Sequence, residues 1–175
     1  MTGTVLPLPD AEMLLVELAE RIRAALQPNT ALIGIHTGGV WLAERLHRDL
    51  ELATPLGTLD VNFYRDDFEQ RGLRAQVRPS TIPFEVDGRD LILIDDVLYT
   101  GRTIRAAMNE LFDYGRPASI RLAALIDRGG RELPIAPQFV GARVEVASNQ
   151  NIELVRDAAG RLSLKLSENT QAAGH

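Results

Sequence analysis

Apolar residues near the start of the chain repeat at the spacing of a helix. Between residues 10 and 27 they fall on one face of a 3.6-residue period, which predicts an amphipathic helix with that face buried. Asp10 precedes the first of them and is a suitable N-cap, and Pro28 ends the pattern. The apolar face consists of Leu14, Leu15, Leu18, Ile22, Ala25 and Leu26.

Short apolar runs without helical spacing follow, and each predicts a strand. They alternate with further segments of helical spacing, an order typical of an α/β fold with a mainly parallel sheet flanked by helices. In such sheets ligands bind beyond the carboxyl ends of the strands. The predicted strands cover residues 31–35, 56–64, 91–94 and 120–126, and the predicted helices cover residues 40–52 and 102–114.

The remaining segments do not continue this alternation. Two are polar or proline-containing and aperiodic, which predicts loops, and the first of these loops is rich in arginine and expected to be mobile. Two short runs around Asp157-Ala-Ala-Gly160 are typical of a terminal β-hairpin, and the polar residues after it are expected to be frayed. The loops cover residues 65–81 and 127–150, the hairpin strands cover 151–156 and 161–166, and the frayed tail covers about 167–175.

Composition and charge exclude several classes of protein. A chain of 175 residues without internal repeats fits one domain, residues 1–175. The absence of cysteine excludes disulfides, thiolate metal sites and a cysteine nucleophile. The first residues lack the pattern of a signal peptide, and no apolar run approaches the ~20 residues of a membrane helix, so we expect a cytoplasmic protein without membrane contact.

The basic residues limit the kinds of phosphate site. Lys165 is the one lysine among 19 basic residues. A P-loop requires a lysine directly after its glycines, and no Gly-Lys-Ser/Thr run occurs here. Any phosphate site in this chain is therefore expected to use backbone N–H groups and arginines.

The segment from residue 91 to residue 103 carries the strongest chemical signal. An apolar run ends in Asp95 and Asp96, a turn with hydroxyl residues around Gly101 follows, and a predicted helix begins. A helix N-terminus offers unpaired N–H groups that suit a phosphate, whereas ionised carboxylates accept hydrogen bonds from sugar hydroxyls. The alternative is an acidic turn that only caps a helix and binds no ligand. A sugar phosphate is favoured because groups that suit a phosphate and groups that suit sugar hydroxyls lie only a few residues apart.

This segment resembles the phosphoribosyl pyrophosphate (PRPP) signature of type I phosphoribosyltransferases, in which two acidic residues precede a Thr-Gly-x-Thr phosphate loop. The wider sequence resembles the family of pyrimidine operon regulators that are also uracil phosphoribosyltransferases. The match extends from about residue 10 to residue 140. Its motifs are Gly34-Ile-x-Thr-x-Gly39 followed by Leu42-Ala43, Tyr64-Arg-Asp-Asp67, Asp96-Val-Leu-Tyr-Thr-Gly-Arg-Thr-Ile-Arg105 and Asp127-Arg-Gly-x-Arg-Glu-Leu-Pro134.

The resemblance implies a type I phosphoribosyltransferase fold with a small hood region and a terminal β-hairpin. It implies conversion of uracil and PRPP to UMP and pyrophosphate, with Mg²⁺ carried by PRPP and contacted at most by the two adjacent carboxylates. It also implies that UMP or UTP is sensed to regulate pyrimidine genes, and that residues 65–81 close as a lid. The implied catalytic residues are Asp95, Asp96 and Arg65; the PRPP phosphate loop is Val97, Leu98, Tyr99, Thr100, Gly101, Arg102 and Thr103; the pyrophosphate loop is His36, Thr37, Gly38 and Gly39; and the base-binding residues are Asp127 and Arg128.

Several alternatives stay open. Many family members carry basic residues at the positions of His36 and Gly38; their absence here would weaken pyrophosphate binding unless the glycines expose backbone donors. Arg128 and Arg131 are either base-contacting or paired at the surface with acidic neighbours. A non-catalytic nucleotide-binding regulator, or a purine phosphoribosyltransferase, would share the PRPP signature.

Partners follow from the family and the charge. Relatives self-associate, so the resemblance implies a homo-oligomer, a dimer or larger. Family members also bind leader RNA, but a formal net charge of −5 disfavours a broad basic surface. We therefore expect RNA binding to be weak or absent and any regulation to use another route.

Overall fold

A computed structural model describes residues 7–61 and 79–169 of the chain. No helix in these two ranges has the length and apolar character that crossing a membrane requires. In chain order the elements are α1 (Ala11–Arg23), β1 (Thr30–Ile35), α2 (Gly38–Asp49), β2 (Gly57–Leu59), β3 (Asp90–Leu98), α3 (Arg102–Phe112), β4 (Ser119–Asp127), β5 (Phe139–Arg143), β6 (Gln150–Arg156) and β7 (Leu162–Glu168).

Five of these strands form a parallel sheet in the order β2-β1-β3-β4-β5, and β6 and β7 form an antiparallel hairpin. The sheet is covered on both faces, so its central strands are apolar throughout rather than alternating. In β3, Ile92 and Ile94 pack with α1, α2 and the hairpin, whereas Leu91 and Leu93 pack with α3. The predicted α/β fold with a mainly parallel sheet and a terminal hairpin is confirmed.

Helix α1 begins where the sequence indicates. The Asp10 carboxylate accepts hydrogen bonds from the backbone N–H groups of Glu12 (2.9 Å) and Met13 (3.3 Å), which satisfies donors that a helix N-terminus leaves open. The helix ends at Arg23, four residues before the end of the apolar pattern, because residues 24–27 turn back towards the start of β1.

Several predictions about the strands are wrong. The strand predicted over residues 56–64 is observed as β2, Gly57–Leu59, and residues 60 and 61 do not continue it. Strand β3 does not end at the carboxylates but continues to Leu98, because β4 pairs with it as far as Leu98 opposite Asp127. Residues 127–150 are not irregular throughout, because Phe139–Arg143 pairs with β4 as an edge strand. The hairpin also extends two residues further than predicted, to Glu168. Most of the predicted lid, residues 65–78, lies outside the described residues.

Candidate functional site

The carboxyl ends of β1, β3 and β4 lie side by side at one edge of the sheet. Gly34 pairs with Ile94, and Leu98 pairs with Asp127, so the loops after β1, β3 and β4 leave the sheet next to one another. These are the pyrophosphate loop, the PRPP phosphate loop and the proposed base loop of the sequence prediction. The parallel topology therefore brings the three predicted segments together.

The start of α2 lies directly against the carboxylates of β3. A Cβ atom on Gly38 would be 2.2 Å from Asp96 Oδ2, and one on Gly39 would be 2.4 Å from the Ile94 carbonyl oxygen. Thr37, the N-cap residue, makes no capping hydrogen bond through its side chain. Because the first-turn N–H groups of a helix lack intrahelical partners, α2 presents backbone donors beside Asp96.

Replacing Gly39 by alanine is expected to lower the free energy of unfolding by about 1–3 kcal/mol, because the new methyl group would clash with the backbone of β3. Alanine normally favours a helix over glycine by up to ~1 kcal/mol, so a loss in stability would have to come from this clash. Chemical denaturation of the two proteins measures the difference.

Gly38→Ala is the matched control for that experiment. Its new methyl group would meet side-chain atoms of Asp96 rather than backbone, and this carboxylate can turn away at the cost of one hydrogen bond from the Val97 N–H. We therefore expect a smaller loss of stability than in Gly39→Ala. Equal losses in the two variants would show that backbone contact at Gly39 does not set the position of α2.

Asp95 and Asp96 lie at the site edge of β3. Asp95 is buried and Asp96 is half-buried. Asp95 Oδ1 accepts a hydrogen bond from the Asp96 N–H (2.9 Å), and Asp96 Oδ1 accepts one from the Val97 N–H (2.8 Å). These contacts hold both side chains close to the backbone at the edge of the site.

The phosphate loop is a tight turn that packs against residues 132–135. Gly101, the N-cap of α3, has a φ of 92°, a conformation that glycine adopts without strain. A Cβ atom there would be 2.9 Å from the Ile135 side chain. The carbonyl oxygen of buried Thr100 accepts hydrogen bonds from the N–H groups of Glu132 (2.9 Å) and Leu133 (3.2 Å). The N–H of Arg102, the first residue of α3, donates to Thr100 Oγ1 at 3.2 Å. The loop is therefore fixed before ligand arrives, and it leads into a helix N-terminus, which favours an anion.

Asp127 is held by contacts within its own loop. Its Oδ2 atom pairs with Arg131 at 2.6 Å, and its Oδ1 atom accepts a hydrogen bond from the Gly129 N–H at 3.0 Å. Burial alone would raise the pKa of Asp127, but the hydrogen bonds from Arg131 and Gly129 outweigh it and lower the pKa. Arg131 is thus paired with Asp127, as one alternative predicted, but the pair is largely buried rather than at the surface. Arg131 also donates to the Tyr99 carbonyl oxygen (2.7 Å), which ties the base loop to the phosphate loop.

Arg128 is buried rather than paired at the surface, so that alternative is wrong for this residue. Its guanidinium lies 3.9 Å from the centroid of the Tyr99 ring and donates to Asn151 Oδ1 at 3.3 Å. Burial lowers the pKa of Arg128. The Tyr99 ring also approaches the backbone of Gly130, where a Cβ atom would lie 2.5 Å from it. Tyr99 is therefore packed between two parts of the base loop.

Arg102, a predicted residue of the phosphate loop, forms an ion pair at the surface. The side chain of Arg102 pairs with Glu132 at 2.7 Å, and both are about half-exposed. Arg65 lies outside the described residues. Sequence reasoning missed the support that Leu133 and Ile135 give to the phosphate loop, since only the glycine at position 101 hinted that another segment approaches so closely.

Comparisons with known proteins agree with this geometry. The family model described as phosphoribosyl transferase domain matches residues 1–155. The chain is 53% identical to the bifunctional protein PyrR of Pseudomonas aeruginosa over 163 residues, which cover 91% of this chain and 96% of that protein. It is 54% identical to the bifunctional protein PyrR of Pseudomonas savastanoi pv. phaseolicola, over 84% of this chain and 89% of that protein.

Solved structures with a similar fold include two purine enzymes. A hypoxanthine phosphoribosyltransferase from Staphylococcus aureus superposes with a TM-score of 0.61 at 19% identity, over 82% of this chain and 78% of that chain. A purine phosphoribosyltransferase from Pyrococcus horikoshii superposes with a TM-score of 0.58 at 27% identity, over 77% of this chain and 83% of that chain. The first shows the shared fold alone.

Proposed function

The chain belongs to the phosphoribosyltransferase family, and within it to the PyrR proteins, and we propose that it converts uracil and PRPP to UMP and pyrophosphate. The observation that carries the proposal is the meeting of two helix N-termini with a pair of carboxylates at one sheet edge. The start of α2 lies against Asp96, and a turn of three residues separates the end of β3 from the start of α3. This arrangement suits a sugar that carries an anionic group on each side.

In the proposed complex, each group of PRPP has a complementary partner. The 5′-phosphate lies on the N–H groups at the start of α3, and the pyrophosphate lies on those at the start of α2. The ribose hydroxyls donate to Asp95 and Asp96. When the bond from the ribose to pyrophosphate breaks, positive charge develops on the sugar, and two carboxylates already in place stabilise it without reorganisation.

Phosphoribosyltransferases generally use Mg²⁺ together with PRPP, and this chain is proposed to do the same. No group of three or more histidine, aspartate or glutamate side chains within residues 7–61 and 79–169 is arranged to hold a metal ion. Asp95 and Asp96, two adjacent carboxylates near the carboxyl end of β3, would be the protein contacts of an ion that arrives on the substrate. When bound, the ion would neutralise charge on the leaving pyrophosphate.

Uracil is expected to be the preferred base, because the similar curated relatives are PyrR proteins that match nearly the whole chain. The Pyrococcus horikoshii neighbour supports a second candidate, a purine phosphoribosyltransferase. Nucleotide formation from uracil, hypoxanthine and guanine, each with PRPP and Mg²⁺, separates the two. UMP as the main product supports the proposal, and IMP or GMP as the main product would replace it with the purine function.

Regulation of pyrimidine genes is the second proposed role. The relatives carry the word bifunctional in their names, and the same site that makes UMP would bind it as the sensed nucleotide. A homo-oligomer of two or more chains stays a prediction, as does the route by which the bound state reaches the genes.

Binding to a pyrimidine leader transcript is expected to be weak at physiological salt. The net charge is −5, and the α1 arginines are engaged within the chain: Arg21 donates to the Val140 carbonyl oxygen, and Arg23 pairs with Glu20 at 3.4 Å. These two arginines are therefore less available to neutralise phosphates, which supply much of RNA affinity. A titration of the transcript with and without UMP measures this, and tight, UMP-enhanced, sequence-selective binding would contradict it.

A further inference from the structure

Arginines from two elements line a cavity between α2 and the terminal hairpin. The cavity has a volume of about 470 Å³. Trp41, Arg45 and Arg48 line it from one face of α2, and Arg156 and Arg161 line it from the two sides of the hairpin turn. None of the residues assigned above to PRPP or base binding lies in its wall.

The inner wall of this cavity is fixed by an ion pair. Arg45 binds Glu12 of α1 through two hydrogen bonds of 2.7 and 3.2 Å, and Glu12 Oε1 also accepts from the Leu162 N–H at 2.8 Å. The hydrogen bond from Arg45 is the main cause of a lowered pKa of Glu12, so this carboxylate stays ionised. Nε of Arg45 is buried, and no described residue accepts a hydrogen bond from it.

The outer wall carries positive charge that the chain itself neutralises poorly. Arg156 lies 4.7 Å from the centroid of the Trp41 ring, and its contact with Glu44 is long, at 3.9 Å. Arg48 pairs with Asp49 at 3.5 Å on the exposed surface, where ion pairs are weak.

Arg161 makes no ion pair among the described residues. The lining contains four arginines and two glutamates, an excess of two positive charges in a chain of net charge −5.

We propose that this cavity binds a small anion that carries two or more phosphate or carboxylate groups. Guanidinium groups present paired donors that match both kinds of group, and the volume is within the range of small-molecule sites. Because the arginines approach from two walls, an anion with charge at more than one position would bridge α2 and the hairpin.

Trp41 is the single tryptophan of the chain, so its fluorescence reports on this cavity. Titration with tripolyphosphate and with citrate, at constant ionic strength, is expected to give a saturable change in emission for at least one of them. The anion that binds more tightly identifies the ligand as phosphate-bearing or carboxylate-bearing. No saturable change with either anion would overturn the proposal.

Removal of cavity arginines is expected to weaken that binding. Arg161→Gln alone should raise the dissociation constant by about tenfold, since a contact to a charged group is worth about that much, and it removes a side chain that holds no ion pair in the described fold. Arg48→Gln/Arg161→Gln, which removes two such contacts, should raise it by about a hundredfold. Unchanged affinity in both variants would place the bound anion elsewhere.

A charge-matched control distinguishes anion binding in the cavity from non-specific attraction of the anion to the charge of the whole chain. Arg89→Gln/Arg116→Gln removes two arginines at the amino ends of β3 and β4, outside the cavity. It should bind the anion as the wild-type chain does. An equal loss of affinity in this control would show that overall charge, not the cavity, attracts the anion.

Discussion

Asp95→Asn and Asp96→Asn are each expected to lower the rate of UMP formation about 10²–10³-fold, the usual effect of removing one electrostatic contact to a transition state. Asparagine has the same shape but no charge to offset the positive charge that develops on the ribose. Steady-state kinetics with uracil and PRPP measures the effect.

Stability should change little in these variants. The carboxylate of Asp95 accepts a hydrogen bond from the Asp96 N–H, and that of Asp96 accepts one from the Val97 N–H. The amide oxygen of asparagine can accept the same bonds, so the local structure is retained. A thermal unfolding curve recorded beside the kinetics shows whether activity is lost without unfolding.

Asp113→Asn is the matched control, because Asp113 is an exposed residue at the other end of α3 from the phosphate loop. It removes one negative charge from the same chain and should keep wild-type activity. Near-wild-type turnover in both Asp95→Asn and Asp96→Asn would remove the assignment of PRPP to this segment.

Asp90→Asn is expected to lower the free energy of unfolding by about 3 kcal/mol, near the lower end of the range for breaking a buried ion pair. Asp90 lies at the amino end of β3 and is buried. Its Oδ2 atom accepts from Thr30 Oγ1 at 2.7 Å and from Arg121 Nη2 at 2.6 Å. An asparagine amide there is neutral, and where its N–H₂ group faces Arg121, donor would meet donor.

The control for this variant is Asp49→Asn, which removes one partner of the exposed Arg48–Asp49 pair. Such surface pairs contribute about 0–1 kcal/mol. Urea unfolding of the three proteins gives the comparison. A similar loss in both variants would mean that burial adds nothing to the ion pair of Asp90 with Arg121.

The carboxyl group of Asp90 also affects how the free energy of unfolding depends on pH. Burial alone would raise the pKa of Asp90, but hydrogen bonds from Ser119, Thr30 and Arg121 outweigh it and hold the pKa below its ordinary value of 3.8. The ionised form is therefore favoured by folding, so its contribution is present above about pH 4 and is lost as the pH falls through the folded-state pKa. The difference in free energy of unfolding between wild type and Asp90→Asn, measured by urea unfolding, should therefore become smaller as the pH is lowered through the folded-state pKa of Asp90.

The local features of the predicted site are present in the fold, whereas the extent of two strands was not predicted. The sequence placed carboxylates, a glycine turn and a helix start within residues 91–103, and all three are local features, so the structure contains them as predicted. It did not indicate that β3 continues past the carboxylates or that Phe139–Arg143 is a strand. Both depend on pairing with β4, a partner that residue patterns along one segment do not reveal.

Contacts with distant segments give Arg128 and Arg131 of the base loop different environments. Both follow β4 within four residues, and their immediate sequence does not distinguish them. Arg131 pairs with Asp127 of its own loop, whereas Arg128 is buried between Tyr99 and Asn151. The difference arises because the hairpin closes over one arginine and not the other.

The sequence by itself determined the fold class, the PRPP segment and the family. The signals for them are the hydrophobic period, the turn glycines and the adjacent carboxylates, and each of these can be recognised within a short stretch of consecutive residues. Only the tertiary structure decided that α2 begins against Asp96, that residues 131–135 fix the phosphate loop, and that arginines of α2 and of the hairpin line one cavity. Each of these joins residues far apart in the chain, and their meeting depends on strand order and on the packing of both faces of the sheet.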